Sequence, residues 1–301
     1  MTTLTAPAPA PRAHLTRWLL RLHRPTLYVW AGLVLAAAVL LLLLRGPLAD
    51  AAADAWRQYD SCTDWRRCTY DQNAILRYKD WYSYATLAVA AVPFLTAAWA
   101  GGAFGKELES GTAKLAWTQS STPVRWLAVR LAVPAAAVAA GTALLVWLHH
   151  LAWATANDRI DTAKQWYDVW TFHTNGPTLP ALALCGLAAG ALTGLLSRRT
   201  LPALGLGLLL TGAVWTATQL LLPRLWPTRT STGKAFFALP NSSWTVRTGK
   251  HAEVPYGDYH PASHYWPLQL TTTALLLAVT ALLTLGCFLA LRRLTGKTTA
   301  G

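Results

Sequence analysis

The sequence predicts an all-α integral membrane protein with six transmembrane helices and both termini in the cytosol. Three observations predict it. Of 301 residues, 53% are hydrophobic and only 13% are charged, about half the charged share of a soluble domain. The charges cluster and leave six apolar runs of span length, each near the roughly 20 helical residues that cross about 30 Å of hydrocarbon. The link Ser197-Arg198-Arg199-Thr200 sets two arginines in a short turn between two such runs, which marks the cytosolic face.

The elements follow in chain order as one transmembrane domain over residues 1–301. Residues 12–24 alternate Leu15, Trp18, Leu19 and Leu22 with His14, Arg17, Arg21 and Arg24 at helical spacing. This suits a basic amphipathic helix lying in the headgroup layer, the alternative being a plain positive flank. The spans are expected at 26–44, 82–102, 126–148, 178–196, 200–222 and 268–291. The first starts too late and runs too long for a signal peptide, and no cleavage site follows it. Pro93 and Pro134 fall inside the second and third spans. Neighbouring helices can satisfy the carbonyls that such prolines free.

Loops 45–80, 154–177 and 223–267 are expected outside. Their edges carry Trp56, Tyr59, Trp65, Trp81, Tyr82, Trp166, Tyr167, Trp170, Tyr265 and Trp266, read as interfacial anchors. Cys62 and Cys68 lie six apart in the first of these loops, close enough for a disulfide in a compartment that permits one. Cys185 and Cys287, mid-span, read as small apolar residues.

Several chemistries are excluded. The net charge of +13 sits on membrane flanks, so it signals no nucleic-acid partner. The interiors of the six spans hold no Asp, Glu, Lys, Arg or His, and His149 and His150 read as interfacial; a proton- or ion-coupled transporter needs ionisable groups within the membrane. Gly296-Lys297-Thr298 copies the end of a phosphate-binding loop, but Leu291 stands where its first glycine belongs. The chain therefore hydrolyses no ATP itself, and no enzyme activity or cofactor is expected. His251, Glu253, Asp258, His260 and His264 cluster in the third outer loop. A zinc site there would make the chain a metal-dependent membrane enzyme, the rival reading beside a sensor or assembly factor. With Pro261 breaking the helical spacing, a solvated loop fits better and no metal is expected.

The inner link after the second span is the informative segment. It reads Lys106-Glu107-Leu108-Glu109-Ser110-Gly111-Thr112, then Gln119-Ser120, then Arg125 entering span three. Phe104, Leu108, Leu115 and Trp117 are expected against the bundle or lipid, with Lys106, Glu107, Glu109 and Lys114 toward the cytosol. This motif, at this place in a six-span chain with a long outer loop between spans five and six, resembles the permease family of ABC-2 type transporters. The resemblance implies that 104–120 is a coupling segment docking on a separate ATP-binding cassette subunit. Glu107 and Glu109 would then face polar or basic groups of that subunit, and Gly111-Thr112 would form the turn. It also implies a second permease chain, a cell-membrane location among lipids, and export. The uncharged spans suit a hydrophobic or amphipathic substrate, passing a cavity expected at the interface of the two permease chains from spans two and five, where Gly205, Gly207 and Gly212, with nearby Thr211, would permit close helix approach.

Overall fold

The structure, a computed structural model, describes residues 13–63, 68–119, 122–157, 159–160 and 164–296, with only the backbone of 13–23 and 119. Arg12, Ser120, Ser121, Lys297 and the two faces expected for the 12–24 helix lie outside the described residues. Six helical stretches are long and apolar enough to cross a membrane.

Helix α1 (Ala13–Arg45) runs unbroken through Pro25, so no break separates an interfacial segment from the first span. After Gly46 the chain resumes as α2 (Pro47–Asp60), with Pro47 in its first turn, where a missing N–H costs nothing. The expected loop 45–80 is thus mostly helix. Helix α3 (Gln72–Ala90) begins ten residues before the expected start of span two, capped by Asp71, whose Oδ1 accepts from Ala74 N at 3.1 Å. The sulfurs of Cys62 and Cys68 are bonded, with Cα atoms 5.8 Å apart, and close the tip between α2 and α3.

The second span is not one helix. Ala91 turns the chain, and α4 (Val92–Glu109) starts with Pro93 in its first turn. Proline cannot donate to the carbonyl four residues back, so the ladder breaks there. Next come α5 (Thr112–Gln119), α6 (Pro123–Asn157), the short α7 (Val169–Thr174), α8 (Thr178–Ser197) and α9 (Thr200–Leu221). A small α10 (Lys234–Phe237) and α11 (Tyr265–Gly296) complete the helices.

Helix α8 is the hub. Its apolar window is 78% buried within the chain, against 17% for those of the fifth and sixth spans, and it packs on α4, α6, α9 and α11. Small residues make this possible, because close approach of backbones is what packs helices in lipid. A Cβ on Gly186 would strike Pro93 O, one on Gly190 would strike Ala97 O, and one on Gly194 would come within 2.6 Å of the Phe104 Cβ. Helix α9 packs on α4 as closely: a Cβ on Gly101 would lie 2.5 Å from Ala203 O.

The all-α expectation needs one correction. The third outer loop folds into a three-stranded antiparallel sheet of β1 (Arg229–Thr232), β2 (Trp244–His251) and β3 (Val254–His260), ordered β1-β3-β2. The β2–β3 turn is Ala252-Glu253, with φ of 46° and 64°. Two-residue hairpin turns need positive φ and usually announce it with Asn-Gly or Asp-Gly, so this one left no mark in the sequence.

The aromatics expected as lipid anchors divide. Trp81 and Trp266 are exposed, but Trp166 is buried in a box of Tyr167, Phe172, Trp244 and Tyr265, with ring centroids 5.6–6.4 Å away. Its indole N–H donates to Ser242 O at 2.7 Å, which ties the sheet to the 164–168 loop. Tyr82 is buried as well, 5.3 Å from the ring of His149.

Candidate functional site

The candidate coupling segment is an elbow. Helix α4 ends at Glu109, Ser110 caps it, and Gly111 takes φ +74°, the left-handed conformation that commonly ends helices and suits glycine. Thr112 Oγ1 donates to Glu107 O at 3.2 Å and lies 3.0 Å from Ser110 Oγ, which fixes the bend. Helix α5 then returns along the bundle with Ala113 buried and Ala116 and Trp117 half-buried. Trp117 and Phe104 both meet Trp126 of α6 edge-on, at 5.6 and 5.7 Å. Leu115, expected against the bundle or lipid, is 57% exposed, because the i, i+3, i+4 positions 113, 116 and 117 form the stripe packed on the bundle. Lys106, Lys114 and Thr118 are exposed beside it.

The two motif carboxylates differ: Glu107 is turned into the bundle, whereas Glu109 is exposed. Glu107 pairs with Arg130 of α6, with side chains only 20% and 15% exposed. Arg130 sits in the second turn of the third span, a charge that reading that span as uncharged overlooked. At this depth a lone ion of either sign is costly, so each makes the other tolerable. Glu109 is exposed but engaged: its Oε2 accepts from Thr200 N at 2.9 Å and from Thr200 Oγ1 at 2.6 Å. A carboxylate there meets free amides and the positive end of the α9 dipole. The elbow is therefore fastened through Glu107 to α6 and through Glu109 to α9. A Cβ on Gly105 would lie 2.7 Å from Arg199 O, so α4 and the α8–α9 turn also touch backbone to backbone.

A sequence model of the family described as ABC-2 membrane transporter related matches residues 31–224, most of the spans and the whole elbow. The chain belongs to that family. No curated protein and no solved structure matches it. The chain is thus a multi-pass membrane protein and the membrane subunit of a transporter, and the elbow lies inside the region that the family shares.

At the opposite end of this permease lies a buried polar knot that composition did not reveal. His149, expected at the interface, is fully buried, because α6 continues past it to Asn157. Its Nε2 is 2.8 Å from Thr86 Oγ1 and its Nδ1 bonds Asn175 Oδ1, so α3, α6 and the α7–α8 link meet on one ring. Gln269 of α11 donates to Phe172 O, and Tyr265 OH donates to Asn175 O at 2.8 Å. His173 is 2% exposed, and burial pushes its pKa down to about 4.

The outer histidine cluster does not converge on a centre. His260 Nδ1 faces His264 Nδ1 at 3.1 Å, Asp258 accepts from Thr230, and Glu253 lies 3.8 Å from Lys250. Among the described residues no group of three or more His, Cys, Asp or Glu is placed to hold a metal ion. Of the span-five glycines, Gly207 packs on α4, where an added Cβ would lie 3.0 Å from Ala97 O. Gly205 and Gly212 face open space.

Proposed function

We propose that the chain is the permease half of an ATP-driven exporter, energised by a separate ATP-binding cassette subunit that docks on the elbow 104–120. Two permease chains and two ATP-binding subunits would form the transporter, with both termini cytosolic in the cell membrane. The observation that carries this reading is the double fastening of the elbow. A push on α5 reaches α6 through Glu107–Arg130 and α9 through Glu109–Thr200, so one docking event can tilt two spans together. The docking face is then Lys106, Lys114, Leu115 and Thr118 rather than the two glutamates, which act as internal levers around the Gly111-Thr112 turn. The sparsely charged spans support a hydrophobic or amphipathic substrate.

The test uses the chain co-expressed with an ATP-binding cassette subunit that co-purifies with the unmodified chain. Reversing Lys106 and Lys114 to Glu, with Leu115→Asp, is expected to abolish co-purification and substrate-stimulated ATP turnover while leaving the permease folded. Unchanged values for both would refute docking on this face.

A further inference from the structure

A cavity of about 420 Å³ opens between α3, α6 and the loop 164–168. Tyr78, Lys79 and Asp80 of α3, Trp153 of α6, and Lys164 and Asp168 of the loop line it. Tyr82, on the same wall, has its ring 5.3 Å from that of His149, so the cavity adjoins the polar knot at the end of the bundle away from the elbow. Its volume falls among pockets that hold small molecules, about 300–1,000 Å³. The loop that walls it is held: Trp153 Nε1 donates to Lys164 O at 2.7 Å, and Asp168 Oδ2 accepts from Gln165 N at 2.8 Å.

The lining carries two ammonium groups, Lys79 and Lys164, and two carboxylates, Asp80 and Asp168. Among the described residues no ion pair joins any of the four. Charges without a partner keep their water, so the occupant comes from the aqueous phase and not from hydrocarbon. Tyr78 is a second, independent sign of a polar ligand. It is 2% exposed, its ring stacks on Tyr82 at 6.0 Å, and its hydroxyl has no hydrogen-bond partner among the described residues. A buried hydroxyl left unpaired is costly, and a polar occupant beside it offers the missing partner.

We propose that this cavity binds a small soluble zwitterion, bearing one carboxylate and one ammonium group, of about dipeptide size. The lining holds both signs and no net charge. A plain anion entering it meets Asp80 and Asp168, and a plain cation meets Lys79 and Lys164. A zwitterion answers both sets, its carboxylate toward the lysines and its ammonium toward Asp168 and the Trp153 ring. The site is separate from the elbow and stands whether or not an ATP-binding subunit docks there.

The full chain in dodecyl maltoside, a detergent with an uncharged headgroup, is titrated with alanyl-alanine and followed by saturation-transfer NMR. Three analogues isolate the charges: N-acetyl-alanyl-alanine lacks the ammonium, alanyl-alanine amide lacks the carboxylate, and N-acetyl-alanyl-alanine amide lacks both. Alanyl-alanine is expected to bind saturably and at least tenfold more tightly than any of the three. Asp168→Asn, which keeps an acceptor for Gln165 N, should make alanyl-alanine bind no better than its N-acetyl form. Lys79→Gln combined with Lys164→Gln should likewise cancel its advantage over the amide. All three positions are half-buried or exposed, and a circular dichroism spectrum matching that of the unmodified chain checks the fold of each variant. Failure of alanyl-alanine to saturate the unmodified chain, or binding no tighter than the doubly blocked form, overturns the proposal. An ammonium advantage that survives Asp168→Asn does so too. Tighter binding of glycerophosphocholine than of alanyl-alanine would assign the cavity to a lipid headgroup and also overturn it.

Discussion

Glu107 and Arg130 are 23 positions apart and each is tolerable at its depth because the other is there. Removing one partner of a buried pair costs about 3–5 kcal/mol, much of it the penalty of stranding the remaining charge; partial exposure puts this pair at the low end. Glu107→Ala and Arg130→Ala are each expected to lower the thermal unfolding midpoint, and the swap Glu107→Arg with Arg130→Glu to recover part of the loss. Additive losses in the swap would show that the pair is not coupled. His173 gives a pH signature. Its folded pKa, near 4, lies below the unfolded value of about 6.5. The unfolded chain therefore takes a proton first as pH falls, and stability is lost from about pH 6.5 down to about pH 4, at up to about 1.4 kcal/mol per unit. His173→Gln should flatten that part of the stability–pH curve. An unchanged slope would mean that His173 takes its proton in the folded state at the ordinary pH.

Glycines that look alike in sequence do opposite things among the helices. A Cβ at Gly190 collides with the Ala97 carbonyl, whereas Gly205 and Gly212 have nothing within 4 Å. Gly190→Ala is expected to force α4 and α8 apart and sharply reduce the yield of monodisperse protein. Gly205→Ala should leave yield unchanged in the single chain. Equal yields for both would contradict α8 as the hub. The six apolar runs and the elbow turn at Gly111 were legible because length and a left-handed glycine are local signals; the Asp71 cap, inside the stretch expected as a loop, went unread. The break at Ala91 was only half legible: Pro93 is visible, but whether a proline kinks or splits a span depends on its neighbours, and Pro134 leaves α6 continuous. The sheet was hidden because Ala252-Glu253 carries no turn signature.

Across the molecule, the bundle is closed at one end by the elbow and at the other by aromatic and polar contacts beneath the sheet. The bonded Cys62 and Cys68, six residues apart, tie off the tip of the α2–α3 hairpin. Closing so short a loop is worth about 2 kcal/mol by loop entropy. Replacing both with Ser should raise hydrogen exchange at the ends of α2 and α3 while leaving α8 protected; faster exchange throughout would make the bridge a global constraint. The elbow and the sheet bracket the spans, so a displacement entering at α5 has α4, α6 and α9 to act on before it meets the α3–α6–α7 knot around His149.

The sequence by itself determined that this chain has six stretches long and apolar enough to cross a membrane and that its informative segment joins the second and third of them. Those properties belong to hydrocarbon thickness, helix periodicity and local turn chemistry, which act within a few residues. Only the tertiary structure decided where the motif's carboxylates go. Glu107 and Glu109 read as outward-facing because charges on a short link usually are. Glu107 turns inward to Arg130, and Glu109 stays exposed against the amide end of α9, because the packing of α4 against α8 and α9 brings those partners beside them, and no local pattern encodes that proximity.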